Sequence, residues 1–73
     1  MKKTQHVVPQ EGRWAVREER SDQPPRVFEK QTDAIRHARN QARKDGGELV
    51  IHGRDGRIRD KNSYGRDSSP PTG

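Results

Sequence analysis

Short apolar runs separated by glycine, proline and polar residues form the main pattern of this chain. Residues 6–9 and 13–17 are two such runs, and the glycine-containing segment between them predicts a β-hairpin. Alternation along the second run places Trp14 and Val16 on one face of a sheet. The N-terminal part of the chain therefore predicts two antiparallel strands with one apolar face.

The pattern changes to a helical period in the middle of the chain. A loop with two prolines at 21–25 and a short strand at 26–30 come first, and Thr32 is then expected to cap a helix. Small and aliphatic residues recur at the spacing typical of a helix that packs on a sheet: Ala34, Ile35, Ala38 and Ala42. The glycines at 46–47 are expected to end this helix.

A second hairpin is predicted near the C-terminal end of the pattern. Residues 48–52 form an apolar strand, and Asp55-Gly56 is the dipeptide most typical of a two-residue hairpin turn. With that turn, His52 would pair with Arg59 across the hairpin. Four basic side chains would then share the face of His52, away from the core: Arg54, Arg57, Arg59 and Lys61.

Together these elements predict one α+β domain over residues 5–65, in which one helix covers a mostly antiparallel sheet of four to five strands. The predicted core draws on every element: Val7, Trp14, Val16, Val27, Phe28, Ile35, Ala38, Ala42, Leu49, Ile51 and Ile58. Residues 1–4 and 66–73 are expected to be flexible termini, and the serine- and proline-rich end at 68–73 is expected to be a disordered tail. Strand order does not follow from the pattern.

Composition places two constraints on how this fold is stabilised. Only 23% of the 73 residues are hydrophobic and none is cysteine, so the core is small and has no disulfide to support it. The histidines His6, His37 and His52 show no close spacing typical of metal ligands, so no metal or other cofactor is expected. A second subunit is the remaining means of stabilising so small a core.

The chain has no apolar segment long enough for a signal peptide or a membrane span, so a cytoplasmic location and no membrane partner are expected. The absence of cysteine agrees with a reducing compartment. A catalytic group with its oxyanion donors is not evident either. Neither enzymatic activity nor a small-molecule substrate is therefore expected.

Several segments resemble those of a known bacterial family. They are His-Val-Val-Pro at 6–9, Trp-Ala-Val at 14–16 and, most specifically, Gly-Gly-Glu-Leu-Val-Ile-His-Gly-Arg-Asp-Gly-Arg-Ile-Arg-Asp-Lys-Asn-Ser-Tyr-Gly at 46–65. In these segments the chain resembles the family catalogued as domain of unknown function 2188, over residues 5–65. The resemblance implies a compact bacterial domain and brings no catalytic residues with it.

The net charge of +5 becomes informative through the predicted geometry. Four basic residues on one hairpin face would repel one another unless acidic groups or an anionic ligand compensate their charge. Two-stranded ribbons can enter a DNA groove, and arginine suits both phosphate and guanine. Three arginines on one flank of the predicted helix would add phosphate contacts: Arg36, Arg39 and Arg43.

Two functions stay open at this point. The first is binding of DNA or RNA through the basic hairpin face, with the helix arginines contributing. The second is a protein-interaction or homodimerisation module whose small core is completed across an interface. In the second case the basic face is simply solvated, and the helix arginines cover the edge of the core with their aliphatic stems.

Overall fold

The computed structural model describes residues 3–65, which form five strands and one helix. The elements are β1 (Thr4–Gln10), β2 (Arg13–Glu18), β3 (Arg26–Phe28), α1 (Gln31–Asp45), β4 (Glu48–His52) and β5 (Ile58–Ser63). The predicted α+β class, with one helix on a sheet of four to five strands, is confirmed. The predicted C-terminal tail at 66–73 lies outside the described residues.

The sheet has the strand order β3-β2-β1-β4-β5. Three of its neighbouring pairs are antiparallel, whereas β1 and β4 are parallel neighbours at its centre. The parallel pair arises because α1 carries the chain from the edge strand β3 across one face of the sheet to β4. Such a crossover needs an intervening helix, since a tight turn can join only antiparallel strands.

The first hairpin forms as the pattern predicts. Its turn consists of Glu11 and Gly12, whose φ angles of 48° and 80° are both positive. This is the geometry of a type I′ turn, whose twist matches that of the flanking strands. Gln10 consequently pairs with Arg13, and Val7 with Val16 farther along the ladder.

Helix α1 packs on one face of the sheet, which we call the helix side. No helix or strand within residues 3–65 covers the other face, which we call the open side. The buried core between α1 and the sheet consists of Val7, Trp14, Val16, Ala34, Ala38, Ala42, Leu49 and Ile51, with Phe28, Ile35 and Tyr64 packed against it. Because the helix contributes mainly alanine, it lies close to the sheet and the core is thin.

Two members of the predicted core are exposed, and Phe28 and Ile35 are partly buried. Val27 is 41% exposed and Ile58 is 59% exposed. They pair with Ala15 and His52, which lie on the open side, so both face away from α1. Conversely Ala15 and Val50, which were not predicted as core, are buried on the open side.

The helix begins earlier than predicted. Its N-cap is Lys30, whose side chain makes no capping hydrogen bond, so the predicted capping role of Thr32 is wrong. Asp33 does lie in the first turn, where a negative charge is favourable. The predicted end at the glycine pair is confirmed: Gly46 has a φ of 65°, and the Gly47 amide donates to the Ala42 carbonyl at 2.8 Å.

Gly47 also marks the point where the chain returns to the sheet. A Cβ atom at this position would overlap the backbone of Lys3. The same Lys3 carbonyl accepts a hydrogen bond of 2.9 Å from the Glu48 amide, and the Tyr64 amide donates to the Gly47 carbonyl at 2.9 Å. The start of β1 and the end of β5 therefore meet at a residue that has to be glycine.

Candidate nucleic-acid interface

The backbone hydrogen bond that closes the second hairpin encloses a loop of three residues, not the two predicted. Gly53 donates to the Arg57 carbonyl at 2.8 Å, and the Gly56 amide donates to the Gly53 carbonyl at 2.9 Å. Gly56 has a φ of 85°, whereas Asp55 is not among the residues with positive φ. A type I′ turn needs positive φ at both central residues. Asp55-Gly56 instead ends a three-residue loop in which only the glycine is left-handed.

A β-bulge follows this loop and changes the pairing of β5. Ile51 pairs with Asp60 but His52 pairs with Ile58, so Arg59 is the extra residue. Beyond the bulge Val50 pairs with Lys61, as predicted. The three-residue loop and the bulge shift the register by one residue in opposite directions. The predicted strand pairing is therefore wrong only for the residues between the loop and the bulge.

The four basic residues of the hairpin consequently do not share one face. Lys61 lies on the open side opposite Val50, as expected. Arg59 lies on the helix side, where its Nη1 donates to Gln31 Oε1 on α1 at 2.9 Å. Arg57 closes the loop opposite Gly53, and its Nε lies 3.8 Å from Asp55 Oδ2. The predicted single basic face of the hairpin is therefore wrong, because the bulge moves Arg59 to the other side of the sheet.

Arg54 and Arg59 line one open cavity of about 650 Å³ at the beginning of α1. The cavity is bounded by the first residues of the helix, Glu29 and Lys30 just before it, the hairpin loop and Trp14. Trp14 is only 6% exposed, so the predicted core position of this side chain is confirmed. The two hairpin arginines thus lie next to the first turn of α1.

The helix arginines lie on the flank of α1 that faces β5. Arg39 donates through Nε to the hydroxyl of Tyr64, which follows β5, at 3.2 Å. Gln31 lies eight residues, or about two turns, earlier on the helix, and it contacts Arg59. By the helical repeat, Arg36 and Arg43 project from this flank toward solvent, and both are exposed.

Five arginines therefore lie on one side of the molecule, along α1 and the neighbouring end of the second hairpin. We call them the arginine surface: Arg36, Arg39, Arg43, Arg54 and Arg59. Within residues 3–65 none of the five forms an ion pair with a carboxylate. Asp60, which also faces the helix side, accepts a hydrogen bond from the Lys61 amide at 2.9 Å. Arginine side chains that are not engaged in ion pairs suit an anionic partner.

A model of the family described as "Uncharacterized protein conserved in bacteria (DUF2188)" matches residues 5–64. The chain belongs to the DUF2188 family. The resemblance found in the sequence is thereby confirmed. The match extends from β1 to the residue after β5, so the family covers the whole sheet and its helix. No curated protein and no solved structure matches the chain.

This DUF2188 domain also brings together two side chains that sequence spacing could not connect. His6 on β1 and His52 at the end of β4 have ring nitrogens 3.3 Å apart on the open side. Glu19 lies 2.9 Å from the other ring nitrogen of His6, and this hydrogen bond is the main reason why the pKa of Glu19 is lowered. The two histidines are 46 positions apart, and only the parallel β1–β4 pair makes them neighbours.

The described part of this DUF2188 domain contains neither a cluster of several metal ligands nor a helix that could span a membrane. Residues 3–65 contain no group of three or more histidine, cysteine or acidic residues that could hold a metal ion. No helix in the same range is long and apolar enough to cross a bilayer.

Proposed function

We propose that this domain binds nucleic acid through the arginine surface, without catalysis and in the cytoplasm. The observation that carries the proposal is the position of Arg59. The bulge turns this side chain toward α1, so the hairpin and helix arginines lie on one side of the molecule. Their lack of ion-pair partners within residues 3–65 supports the same reading, since an anionic ligand would supply the missing charge.

The length of the arginine surface favours a polymer over a small anion. Gln31, which contacts Arg59, and Arg39 are eight residues apart on one helix, which corresponds to about 12 Å. Phosphates of one duplex strand follow each other every 3.4 Å or so along the axis, so the surface matches about three of them. A single small anion would leave most of the five arginines uncompensated.

The chemistry of the surface favours phosphate contacts with little sequence specificity. Stacking on bases needs exposed aromatic rings, but Trp14 is buried and Tyr64 is partly buried and bonded to Arg39. Contacts between arginine and phosphate fix a protein on the nucleic acid without reading its sequence. We therefore expect similar affinity for unrelated sequences of the same type of nucleic acid.

Titration of fluorescently labelled duplex DNA, single-stranded DNA and RNA at low salt tests this function. Binding should be visible as a rise in anisotropy and should weaken steeply with salt, because each phosphate contact releases a counterion. Arg59→Gln should weaken binding and make the slope of log K against log salt smaller by about 1. Absence of binding to all three probes at a protein concentration of about 100 µM would exclude the function.

Lys61→Gln is the matched control for Arg59→Gln. Both variants remove one positive charge from β5, two positions apart, but Lys61 lies on the open side. Its replacement should therefore leave the affinity and the salt slope close to those of the unchanged domain. Equal losses for the two variants would mean that net charge alone, and not the arginine surface, determines binding.

The second candidate is a homodimer formed through the open side. Val27 and Ile58 are large apolar side chains exposed on this face, and Lys61 and Glu48 give it charges of both signs. A face with both charges can pair with its own copy in a twofold arrangement. Sedimentation over a wide concentration range should then reveal a dimer that Ile58→Glu dissociates. A monomeric mass at all concentrations would exclude this candidate.

A further inference from the structure

His6 and His52 form a pair whose outer ring nitrogens are both held by oxygen atoms. His6 Nε2 lies 2.9 Å from Glu19 Oε1, and His52 Nδ1 lies 3.2 Å from the backbone carbonyl oxygen of Gly56. A carbonyl and an ionised carboxylate can only accept hydrogen bonds. Each histidine therefore donates its outer N–H and, when neutral, carries a lone pair on its inner nitrogen.

The two inner nitrogens face each other. His6 Nδ1 and His52 Nε2 are 3.3 Å apart, and the two ring planes are tilted by 36°. Two lone pairs at this distance repel each other unless a cation lies between them. The pair is therefore arranged to share either a proton or a metal ion.

The distance between the inner nitrogens fits a metal ion. Zinc binds histidine nitrogen at about 2.0–2.1 Å in tetrahedral geometry, which places two such nitrogens about 3.3–3.4 Å apart. Histidine ligands of metals also characteristically donate their second N–H to a carboxylate or a backbone carbonyl, which fixes the tautomer and the ring orientation. Glu19 and the Gly56 carbonyl occupy these two supporting positions.

We infer that His6 Nδ1 and His52 Nε2 bind a divalent transition-metal ion of the zinc type on the open side of the sheet. The site has two protein ligands, in agreement with the absence of a larger ligand group in residues 3–65. Its remaining coordination positions face a cavity of about 390 Å³, so they are open to water or to a donor atom from outside.

The surroundings of the pair carry charges of both signs. Arg17 and Arg20 line the same cavity as the two histidines, and so do the acidic residues Glu18 and Glu19. Because the two positive and two negative charges balance, the cavity itself favours neither an anionic nor a cationic exogenous ligand. Since the protein supplies only two ligands, the affinity should be well below that of a site with four protein ligands.

Isothermal titration of the untagged domain with Zn²⁺ at neutral pH tests the inference. The expected result is saturable binding of one ion per chain, with the ring-nitrogen NMR signals of His6 and His52 shifting together. His6→Ala and His52→Ala should each abolish saturable binding. Glu19→Gln should weaken it about 10–100-fold, because the support of the His6 ring is lost.

His37→Gln is the matched control, since it removes the third histidine of the chain without touching the pair. It should leave zinc binding unchanged. The amide NMR spectrum of each variant shows whether it is folded, and the two alanine variants test the site independently of each other. No saturable binding at millimolar Zn²⁺ would overturn the inference and leave a shared proton between the rings. Binding that survives both alanine variants would overturn it as well.

Discussion

The two hairpins of this domain begin from similar local sequences and end with different geometries. Each has a turn with an acidic residue followed by glycine, Glu11-Gly12 in the first and Asp55-Gly56 in the second. In the first both residues have positive φ and the ladder is regular, whereas in the second only the glycine has positive φ and a bulge follows. Both hairpins contribute to the core, but the second also distributes its charged residues over both sides of the sheet.

The largest expected difference between the hairpins appears when one apolar side chain in each is replaced by alanine. Trp14→Ala in the first hairpin should lower the free energy of unfolding by about 3–5 kcal/mol, because the ring is buried against α1. Ile58→Ala in the second should change it by less than about 0.5 kcal/mol, since that side chain is largely exposed. Urea denaturation followed by circular dichroism measures both. A large loss for Ile58→Ala would show that the open side is covered in solution.

Gly47, at which the start of the first hairpin and the end of the second meet, should give the next largest effect. Gly47→Ala places a Cβ atom into the backbone of Lys3, next to the start of β1, and neither backbone can move without breaking sheet hydrogen bonds. We expect a loss of about 3 kcal/mol in the free energy of unfolding, at the upper end of the usual cost of overpacking. Thermal denaturation would show it as a strongly lowered Tm. An unchanged Tm would contradict the close approach of the two backbones.

Replacement of the turn glycine in each hairpin by alanine or asparagine compares the two hairpins directly. Gly12 and Gly56 have φ angles of 80° and 85°, and a Cβ atom at either would meet no neighbouring atom. Alanine should therefore cost only backbone strain, about 1–2 kcal/mol at each site. Asparagine, which tolerates the left-handed region, should cost less than alanine at both. Unequal costs in urea denaturation would mean that the two turns differ in more than their dihedral angles.

The sequence pattern predicts most of the fold but not the geometry of the second hairpin. The first hairpin, the core stripe of α1 and its end at Gly46 follow from local periodicity and turn chemistry. The dipeptide Asp55-Gly56 is compatible with both a two-residue and a three-residue loop, because glycine can be the left-handed residue of either. The bulge that selects the second possibility depends on the pairing of whole strands, which local sequence does not encode.

The candidate sites depended on that same non-local information. The helix arginines were predicted on one flank from the helical repeat alone, and Arg39 is found there in contact with Tyr64. The side of the sheet on which Arg59 lies changed with one extra residue in β5, since each step along a strand reverses the face. The pairing of His6 with His52 requires the parallel β1–β4 ladder, and strand order was not predictable.

The smallest expected effect concerns His37, which packs against Phe28 at the edge of the sheet formed by the first hairpin and β3. Burial lowers the pKa of His37 below its usual value, and the positive charge of Arg26 lowers it further. As the pH falls through about 6.5, the unfolded chain therefore binds a proton at this histidine before the folded domain does. Stability should fall over this range and level off below the folded-state pKa.

His37→Gln isolates this contribution from that of the other two histidines. As the pH is lowered from neutral, the Tm of the unchanged domain should fall relative to the Tm of the variant. Arg26→Gln should reduce the same difference only in part, because burial is the larger cause of the shift. A difference that does not vary with pH would mean that His37 is as accessible to protons in the folded domain as in the unfolded chain, and that its contact with Phe28 does not shield it.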